Sequence, residues 1–275
     1  MLYDKLCEFL NASAFFASLD SWAQNTQIYH SNQSASALIA AHIWSQTHKN
    51  IIMVAQDDII AEDIWDDLVT LVGRDQAHYL PDYEILPYEE RSPHYSIRAT
   101  RMMTLNRAAK HTQDEPSPAI YCLSIRSLLR HIPSRESLQK HIVTLKRGEY
   151  HDPEELQQEL QNLGYEIVYQ VSKVYQASRR GGILDIFSPA LNTPVRLEFW
   201  GDEIISMRTF STSTQRSNPG EIGELTIVPA RELCLGDIDS GSVIISKVRE
   251  KGFFEGIENF YSLLTRDLSS FGDFF

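Results

Sequence analysis

The stretch TQIYHSNQSASALIAAHIWSQTHKNIIMVAQ, residues 26–56, limits the possible folds of this chain more than any other. A short apolar segment leads into a polar loop, a segment with helical spacing of apolar residues, and a second apolar segment. Continuous apolar segments joined through a helix are typical of parallel strands buried on both faces of a sheet. The stretch therefore predicts a strand–helix–strand unit of an α/β domain.

Two further segments extend this pattern. DDIIAEDIWDDLVTLVG carries apolar residues at helical spacing and ends in Gly73, which suits the end of a helix. AIYCLS is another apolar segment, and it follows the polar loop HTQDEPSPA. We therefore predict that residues 1–132 form a doubly wound, parallel-sheet α/β domain.

The pattern changes after residue 132. HIVTLKRGEY is typical of a strand, and HDPEELQQELQNLGY is typical of a helix with Asp152 as its N-cap and Pro153 in its first turn. Four segments with strand character follow: EIVYQVSKVY, GGILDIFSP, PVRLEFW and EIISMRTF. We predict an inserted β-rich α+β domain at residues 133–223. Residues 224–275, which begin with the strand LTIVPARE, are predicted to return and complete the first domain.

The loop that should bind phosphate in such a domain lacks the residues for it. It reads HSNQSAS, residues 30–36, and the first glycine of the chain is Gly73. A phosphate loop needs glycines, so that backbone amides can close on the phosphates, and a lysine. We predict an ordinary strand-to-helix connection capped by serine or asparagine, no nucleotide cofactor and no enzymatic activity of this chain.

Other chemistry is equally sparse in the sequence. The nine histidines and three cysteines show no zinc-ligand spacing, and no catalytic motif is present. We therefore predict no catalytic residue and no metal site. The cysteines are far apart, as in proteins of a reducing compartment, and no apolar run is long enough to cross a membrane. These features predict a cytoplasmic protein without a membrane partner.

The charge is unevenly distributed along the chain. The formal net charge is −12, yet residues 91–150 contain 11 basic and 4 acidic side chains. Clustered lysine and arginine are what nucleic-acid binding requires. Two interpretations stay open at this point: a basic surface that faces a partner, or the solvated faces of ordinary helices.

The segment TPVRLEFWGDEI carries the strongest indication of a binding surface. Alternate residues of a strand share a face. One set is predicted to face a core: Val195, Leu197 and Phe199. The other set faces solvent or a partner: Arg196, Glu198 and Trp200. Tryptophan and arginine dominate the energetics of protein interfaces, so this face is a candidate protein contact.

Two further expectations concern the same region. Arg179 and Arg180 are predicted to open the strand next to it, in RRGGILDIF. An alternative for Trp200 is that it caps a second small core under the helix at residues 153–163. WGDE is predicted to join two strands as a tight hairpin.

Several segments resemble one known family. YEILPYEERSPHYSIRATRMMTL, RGGILDIFSP, PVRLEFWGDEIISMRTFSTSTQRS, LTIVPARE and GIENFY are similar, in this order, to motifs of the N-terminal region of bacterial transcription-repair coupling factors (Mfd). The resemblance extends from about residue 20 to residue 275. The same architecture resembles the damage-recognition protein UvrB, which keeps an intact phosphate loop where this chain does not.

The resemblance implies a degenerate copy of the first UvrB domain that carries an inserted domain for binding UvrA. Carried over by position, the UvrA-contacting residues are Arg180, Arg196 and Trp200, and the last is usually phenylalanine in the family. Their neighbours in sequence complete the candidate site: Arg179, Glu198 and Phe199. The implied role is to bring UvrA to stalled RNA polymerase for nucleotide excision repair.

The sequence also departs from the family. Tyr175 and Ala177 stand where a glycine and an aromatic residue are usual, so we expect the turn there, and the strength of UvrA binding, to be altered. The RNA-polymerase-interacting domain and the ATP-dependent DNA translocase of the family are not in this sequence, so we expect a fragment or a truncated relative. Two alternative functions stay open: nucleic-acid binding through residues 91–147, and a cryptic NTPase with a non-standard loop at residues 30–36.

Overall fold

A computed structural model describes most of the chain: residues 28, 31–86, 89–111, 117–242 and 244–275. Of the first predicted apolar strand only Ile28 is among the described residues, and His30 of the loop and Cys7 lie outside them. The chain divides into two compact units. Unit 1 comprises residues up to Asp82 together with Lys110–Arg130 and Phe271–Phe275, and unit 2 comprises Tyr83–Ala109 and His131–Ser270.

Unit 1 contains a parallel sheet, as predicted. Its helices and strands, in chain order, are α1 (Gln33–Thr47), β1 (Ile51–Ala55), α2 (Asp58–Val72), β2 (Ala77–Leu80), β3 (Ile120–Ser124) and α4 (Ile125–Leu129). The strand order is β1-β3-β2, with β3 parallel to both neighbours. Every residue of β3 is buried, because β3 is central, and α1 packs on α2 through alanines. The assignment of this sheet to the phosphate-loop class stays a prediction.

Unit 2 contains the β-rich part of the chain. Its helices and strands, in chain order, are α3 (Tyr95–Lys110, whose last residue is grouped with unit 1), α5 (Arg135–Lys140), β4 (Val143–Lys146), α6 (Pro153–Asn162), β5 (Glu166–Ile167), β6 (Gln176–Arg180), β7 (Ile183–Ile186), β8 (Val195–Trp200), β9 (Glu203–Thr209), β10 (Glu224–Ile227), α7 (Ile245–Lys251) and α8 (Tyr261–Leu264). Five strands form one sheet in the order β5-β6-β7-β8-β9, antiparallel except for the β5–β6 pair.

The helix predicted at residues 153–163 is α6. The Asp152 carboxylate accepts hydrogen bonds from the backbone N–H groups of Glu154 and Glu155, and Pro153 opens the helix. These contacts satisfy amides that a helix N-terminus leaves without partners. The predicted N-cap is confirmed.

Among the elements that differ from the sequence-based expectation are β5, α3 and β10. The strand predicted in EIVYQVSKVY is only β5, because the backbone N–H groups of Ser172 and Lys173 donate to the side chain of Gln176 and form a turn. The helix α3 was not predicted, since its buried face includes polar residues such as Arg101 and Asn106. The strand in LTIVPARE is present as β10, and it pairs with β4 within unit 2.

This grouping into units differs from the predicted segments 1–132, 133–223 and 224–275, whose boundaries stay predictions. None of the helices in the described part of the chain combines the length and the apolar character that a membrane crossing needs.

Candidate functional site

The β8–β9 hairpin has the two faces that strand alternation predicts. Its inward side chains are buried: Val195, Leu197 and Phe199. On the other face, exposure increases along the strand from the half-buried Arg196 to Trp200, which is 80% exposed. The alternative that Trp200 caps a second small core is wrong, because an indole in that role would be covered.

The turn that presents Trp200 is the predicted tight hairpin. Trp200 pairs with Glu203, so the loop consists of Gly201 and Asp202 alone. Gly201 has a φ of 59°, and a positive φ at the first loop position is what such a two-residue turn requires. The turn fixes the backbone of Trp200 at the end of the β8–β9 pair, whose register shifts between Glu198 and Phe199.

A buried carboxylate lies beside this face and holds both predicted arginines. Asp185 on β7 pairs with Arg196 across the β7–β8 ladder, and its side chain is fully buried. Its two oxygens accept hydrogen bonds from Arg196 Nε and Nη2 at 2.7 and 2.8 Å. Arg180 Nη2 donates to Asp185 Oδ2 at 2.8 Å. The candidate site therefore contains an ion triad with two positive charges and one negative charge.

The two arginines differ in what they can offer a partner. The Arg196 side chain is 13% exposed, donates to the Gln215 carbonyl and stacks 4.8 Å from the centre of the Phe210 ring. Its hydrogen bonds with Asp185 raise the pKa of Arg196. The Arg180 side chain is 40% exposed and makes a single bond to Asp185. Arg180 is therefore the accessible cation, and Arg196 mainly orders the cluster.

Asp185 was not predicted as a site residue. An acidic residue within the apolar strand ILDIF is the signal that could have revealed it, because a fully buried carboxylate needs a cation. Strand pairing then identifies Arg196 as its direct neighbour.

The remaining predicted neighbours lie in different places. Arg179 and Arg180 end β6 instead of opening the next strand, because Gly181, with a φ of 61°, turns the chain into β7. Arg179 donates to Gln157 on α6 at 3.1 Å. Phe199 is 8% exposed and faces the core, whereas Glu198 is half-buried beside Trp200. The structure thus brings Arg180, Arg196 and Trp200 onto one side of the hairpin region without Phe199.

Tyr175, one of the two residues at which the sequence departs from the family, has a positive φ. Tyr175 has a φ of 66°, a conformation that glycine adopts without steric cost. Its ring is buried, lies edge-on to Tyr165 and is 5.9 Å from the Arg98 guanidinium. Burial raises the pKa of the Tyr175 hydroxyl. Packing of the aromatic ring therefore offsets the backbone strain at this position.

A second charged cluster joins other motifs that carried the resemblance. Arg101, in the first motif, is fully buried and forms two hydrogen bonds with Glu232 of PARE, at 2.5 and 3.1 Å. Its guanidinium also lies 4.6 Å from the centre of the Tyr83 ring. Both charges are satisfied inside unit 2, so this pair stabilises the fold and offers nothing to a partner.

The same holds for the SPH and GIENFY motifs. The Ser92 hydroxyl donates to Glu258 Oε2 at 2.7 Å, and Arg231 forms an ion pair with the other oxygen of Glu258. Gly256 approaches so closely that a Cβ atom there would lie 2.8 Å from the Glu89 carbonyl oxygen. The residues of these motifs therefore hold distant segments of unit 2 together through hydrogen bonds, an ion pair and close packing.

Residues 31–36 of the loop HSNQSAS form an ordinary helix start. The Asn32 side chain accepts a hydrogen bond from the Ala35 N–H at 2.8 Å and caps α1. A groove of about 450 Å³ beside it is lined mainly by isoleucines of α1 and β1, and its lining in the described part of the chain includes no lysine or arginine. The predicted asparagine cap is confirmed, and the described residues of the lining offer no cation to a triphosphate.

The basic segment at residues 91–147 uses much of its charge internally. In addition to Arg101, ion pairs among its described residues include Arg130 with Asp82, Lys140 with Asp237, Lys146 with Glu224 and Arg147 with Glu221. Arg98 is largely buried, and this burial lowers its pKa. Paired cations contribute less to phosphate binding, so the geometry gives little support to a nucleic-acid surface here.

One group of potential metal ligands lies near α5. The donor atoms of His141, Cys234 and Asp237 are within 4.8 Å of one another. Asp237 already accepts hydrogen bonds from His141, Ser137 and Lys140. Burial raises the pKa of the Cys234 thiol to about 12. The Lys140 ammonium already pairs with the Asp237 carboxylate. We therefore interpret these three side chains as part of the fold.

Comparisons with known proteins agree with the motifs. Residues 143–233 match a family model described as the UvrB interaction domain. This range includes β4 to β10 and therefore the whole candidate surface.

Three curated relatives show how far the similarity extends. A transcription-repair-coupling factor of Mycobacterium bovis is 36% identical over 208 residues, which are 74% of this chain and 16% of that protein. The corresponding protein of Haemophilus influenzae is 32% identical over 74% of this chain and 17% of its own length. That of Escherichia coli K12 is 27% identical over 72% of this chain and 17% of its own length. The matched part of this chain spans about a sixth of these relatives.

Proposed function

The chain is related to the UvrB-like, N-terminal region of bacterial transcription-repair-coupling factors, and on this basis we propose that it recruits UvrA through the hairpin face around Trp200. Transcription-repair coupling is the setting that these relatives indicate. In this proposal the chain is a binding module, and unit 1 is a scaffold without nucleotide chemistry.

The exposed indole of Trp200 carries the proposal. A tryptophan that is 80% exposed at the end of a paired strand has its backbone held in place before any partner arrives and its ring open to contact. Such preorganisation lowers the entropic cost of binding, and tryptophan is the residue most enriched in interface hot spots. A position at which the family usually has phenylalanine thus keeps an aromatic anchor with a larger contact area.

The ion triad supplies charge next to this anchor. Arg180 has the accessible guanidinium and is assigned the contact with an acidic group of UvrA. Arg196 is assigned a positioning role, because its guanidinium is fixed by Asp185 and by the Gln215 carbonyl. With two cations on one carboxylate, the triad keeps a positive charge to steer the encounter.

The activity of the whole protein is a further part of the proposal. The relatives are about six times as long as the segment that matches this chain. We assign to their remaining parts the ATP-dependent DNA translocase and the contact with RNA polymerase. The present module would then link a stalled polymerase to nucleotide excision repair in the cytoplasm.

Binding of the purified chain to purified UvrA tests the proposal. We expect Trp200→Ala to weaken the complex by about 2 kcal/mol or more, roughly 30-fold in Kd, since it removes the central anchor. Isothermal titration calorimetry measures this change directly. Arg180→Ala should weaken binding by a smaller factor, with most of the loss in the association rate.

Tyr169→Ala is the matched control, because Tyr169 is 84% exposed but lies near β6, toward the other edge of the sheet. Its affinity should equal that of the unmodified chain. If the Trp200→Ala variant bound UvrA as tightly as the unmodified chain, the hairpin face would not be the binding surface.

A further inference from the structure

Three side chains form a row across the tip of the β8–β9 hairpin. Trp200 on β8 pairs directly with Glu203 on β9, and Glu203 pairs on its other side with Tyr150 through an antiparallel bridge. Directly paired residues of antiparallel strands point to the same face. The Tyr150 hydroxyl donates to Glu203 Oε2 at 3.4 Å, as this arrangement requires.

The segment that carries Tyr150 is fixed by its backbone. The N–H of Gly148 donates to the carbonyl of Ile204, the N–H of Ile204 to the carbonyl of Glu149, and the N–H of His151 to the carbonyl of Asp202. Adjacent strands are about 4.8 Å apart, so Trp200 and Tyr150 flank the carboxylate at roughly 10 Å from each other. The row therefore places two exposed aromatic side chains on either side of a carboxylate, on a backbone fixed by pairing, and we call this arrangement the cleft.

The row is also unusually exposed and apolar. Tyr150 is 73% exposed, and Ile205, which lies at the register irregularity of the β8–β9 pair, is 46% exposed. Neighbouring exposed aromatic and aliphatic side chains mark interaction surfaces. A stable interface buries about 800 Å² per partner, and one large aromatic side chain provides only about 150–250 Å². A surface centred on Trp200 alone is therefore too small.

The charge of the cleft selects the chemistry of its ligand. Glu203 forms no ion pair with any residue that the structure describes, and Asp202 adds a second exposed carboxylate. A guanidinium or ammonium group can stack on an aromatic ring and pair with a carboxylate at the same time. The carboxylate between the rings repels phosphate, which disfavours a nucleic-acid strand stacked on them.

We infer that the UvrA-binding surface extends from Trp200 across β9 to Tyr150, and that Glu203 between the two rings receives an arginine or lysine of UvrA. This inference rests on the proposed function, because it adds contacts to the surface proposed there. The interface then has two poles, with the cation Arg180 on one side of Trp200 and the anion Glu203 on the other. Two opposite charges fix the orientation of docking as well as its rate.

Variants of the cleft test the inference by surface binding measurements with purified UvrA at about 50 and 300 mM salt. We expect Tyr150→Ala to raise Kd about 10-fold and Tyr150→Phe to change it less than about twofold, because the ring and not the hydroxyl makes the contact. Glu203→Gln keeps the size of the side chain and removes its charge. It should raise Kd about fivefold at low salt, lower the association rate and flatten the salt dependence.

Separate outcomes distinguish the inference from the proposed function. If Trp200→Ala abolishes binding while Tyr150→Ala and Glu203→Gln both bind as the unmodified chain does, the cleft is not part of the interface and the inference is overturned. If Trp200→Ala itself has no effect, the proposed function fails. Self-association of the chain that Tyr150→Ala removes, with UvrA affinity unchanged, would also overturn the inference. Urea unfolding of each variant shows that changed binding does not reflect lost folding.

Discussion

Two of the arginine–carboxylate clusters of unit 2 differ in what surrounds them. In the first, Arg101 and Glu232 are 0% and 5% exposed, and both oxygens of the carboxylate bind the same guanidinium. In the second, the buried Asp185 is shared by Arg196, which is mostly covered, and Arg180, which is 40% exposed. The first cluster is complete within the chain, whereas the second leaves the Arg180 guanidinium partly accessible at the surface.

The comparison separates two reasons why a motif is recognisable. Arg101 and Glu232 belong to different motifs, 131 residues apart, and each is the other's partner. A motif of this kind indicates that the fold is shared. In the other motif, the side chains of Arg180 and Trp200 are left partly or largely exposed by the rest of the chain. Only the second kind of motif points to a partner.

The first cluster, Arg101 with Glu232, is complete within the chain and is called the closed cluster. Breaking it should have the largest effect on stability. Glu232→Ala removes the carboxylate that neutralises a fully buried guanidinium, so the free energy of unfolding should fall by about 3–5 kcal/mol. Urea denaturation followed by fluorescence measures the change. Replacing both partners, as Arg101→Met with Glu232→Leu, should recover much of the loss, because no buried charge then remains.

The exposed pair between Lys146 and Glu224 is a matched control. Its side chains are 56% and 54% exposed and 3.6 Å apart. Glu224→Ala should cost less than about 1 kcal/mol, as surface ion pairs do. Equal losses in the free energy of unfolding for Glu232→Ala and Glu224→Ala would contradict the interpretation that the charges of Arg101 and Glu232 depend on each other inside the protein.

The next largest effect on stability is expected from a glycine of unit 2 that packs closely against another segment. Gly256 has a φ of 79°, and a Cβ atom there would lie 2.8 Å from the Glu89 carbonyl oxygen. Gly256→Ala should therefore lower the free energy of unfolding by about 3 kcal/mol, from backbone strain and steric overlap together. Gly220 has a φ of 92° with no atom within 4 Å of an added Cβ, so Gly220→Ala should cost only the backbone part, about 1–2 kcal/mol. The thermal unfolding midpoints of the two variants compare these effects, and equal shifts would show that the close approach is not a constraint.

In the second cluster, Asp185 with Arg180 and Arg196, loss of each arginine should change the free energy of unfolding by a different amount. Arg196→Ala removes two hydrogen bonds from a fully buried carboxylate and should lower the free energy of unfolding by about 2 kcal/mol. Arg180→Ala leaves those two bonds intact and should cost less than about 1 kcal/mol. Chemical denaturation of both variants tests this order. A larger cost for Arg180→Ala would mean that the assignment of Arg196 as the ordering residue is wrong.

Strand alternation was sufficient to predict the hairpin face, because the period of two is imposed by the backbone itself. It placed Phe199 inward and Trp200 outward, as the structure has them. The helix α3 was not predicted, because its buried Arg101 is satisfied by Glu232, a partner far away in sequence. Local pattern cannot reveal a partner 131 residues away. Asp185 is different, because its partners Arg180 and Arg196 are only 5 and 11 residues away, and the acid within its apolar strand was the signal that was missed.

The smallest expected effect is the loss of stability in Trp200→Ala. The indole is 80% exposed, so the substitution removes little buried area, and the free energy of unfolding should change by less than about 0.5 kcal/mol. The same urea titration that reports several kcal/mol for Glu232→Ala measures this difference. Because Trp200 is expected to dominate UvrA binding, a side chain that contributes almost nothing to folding would carry the largest binding effect. A loss of 2 kcal/mol or more in stability would instead show that the indole packs on the protein, and the hairpin would then belong with the closed cluster.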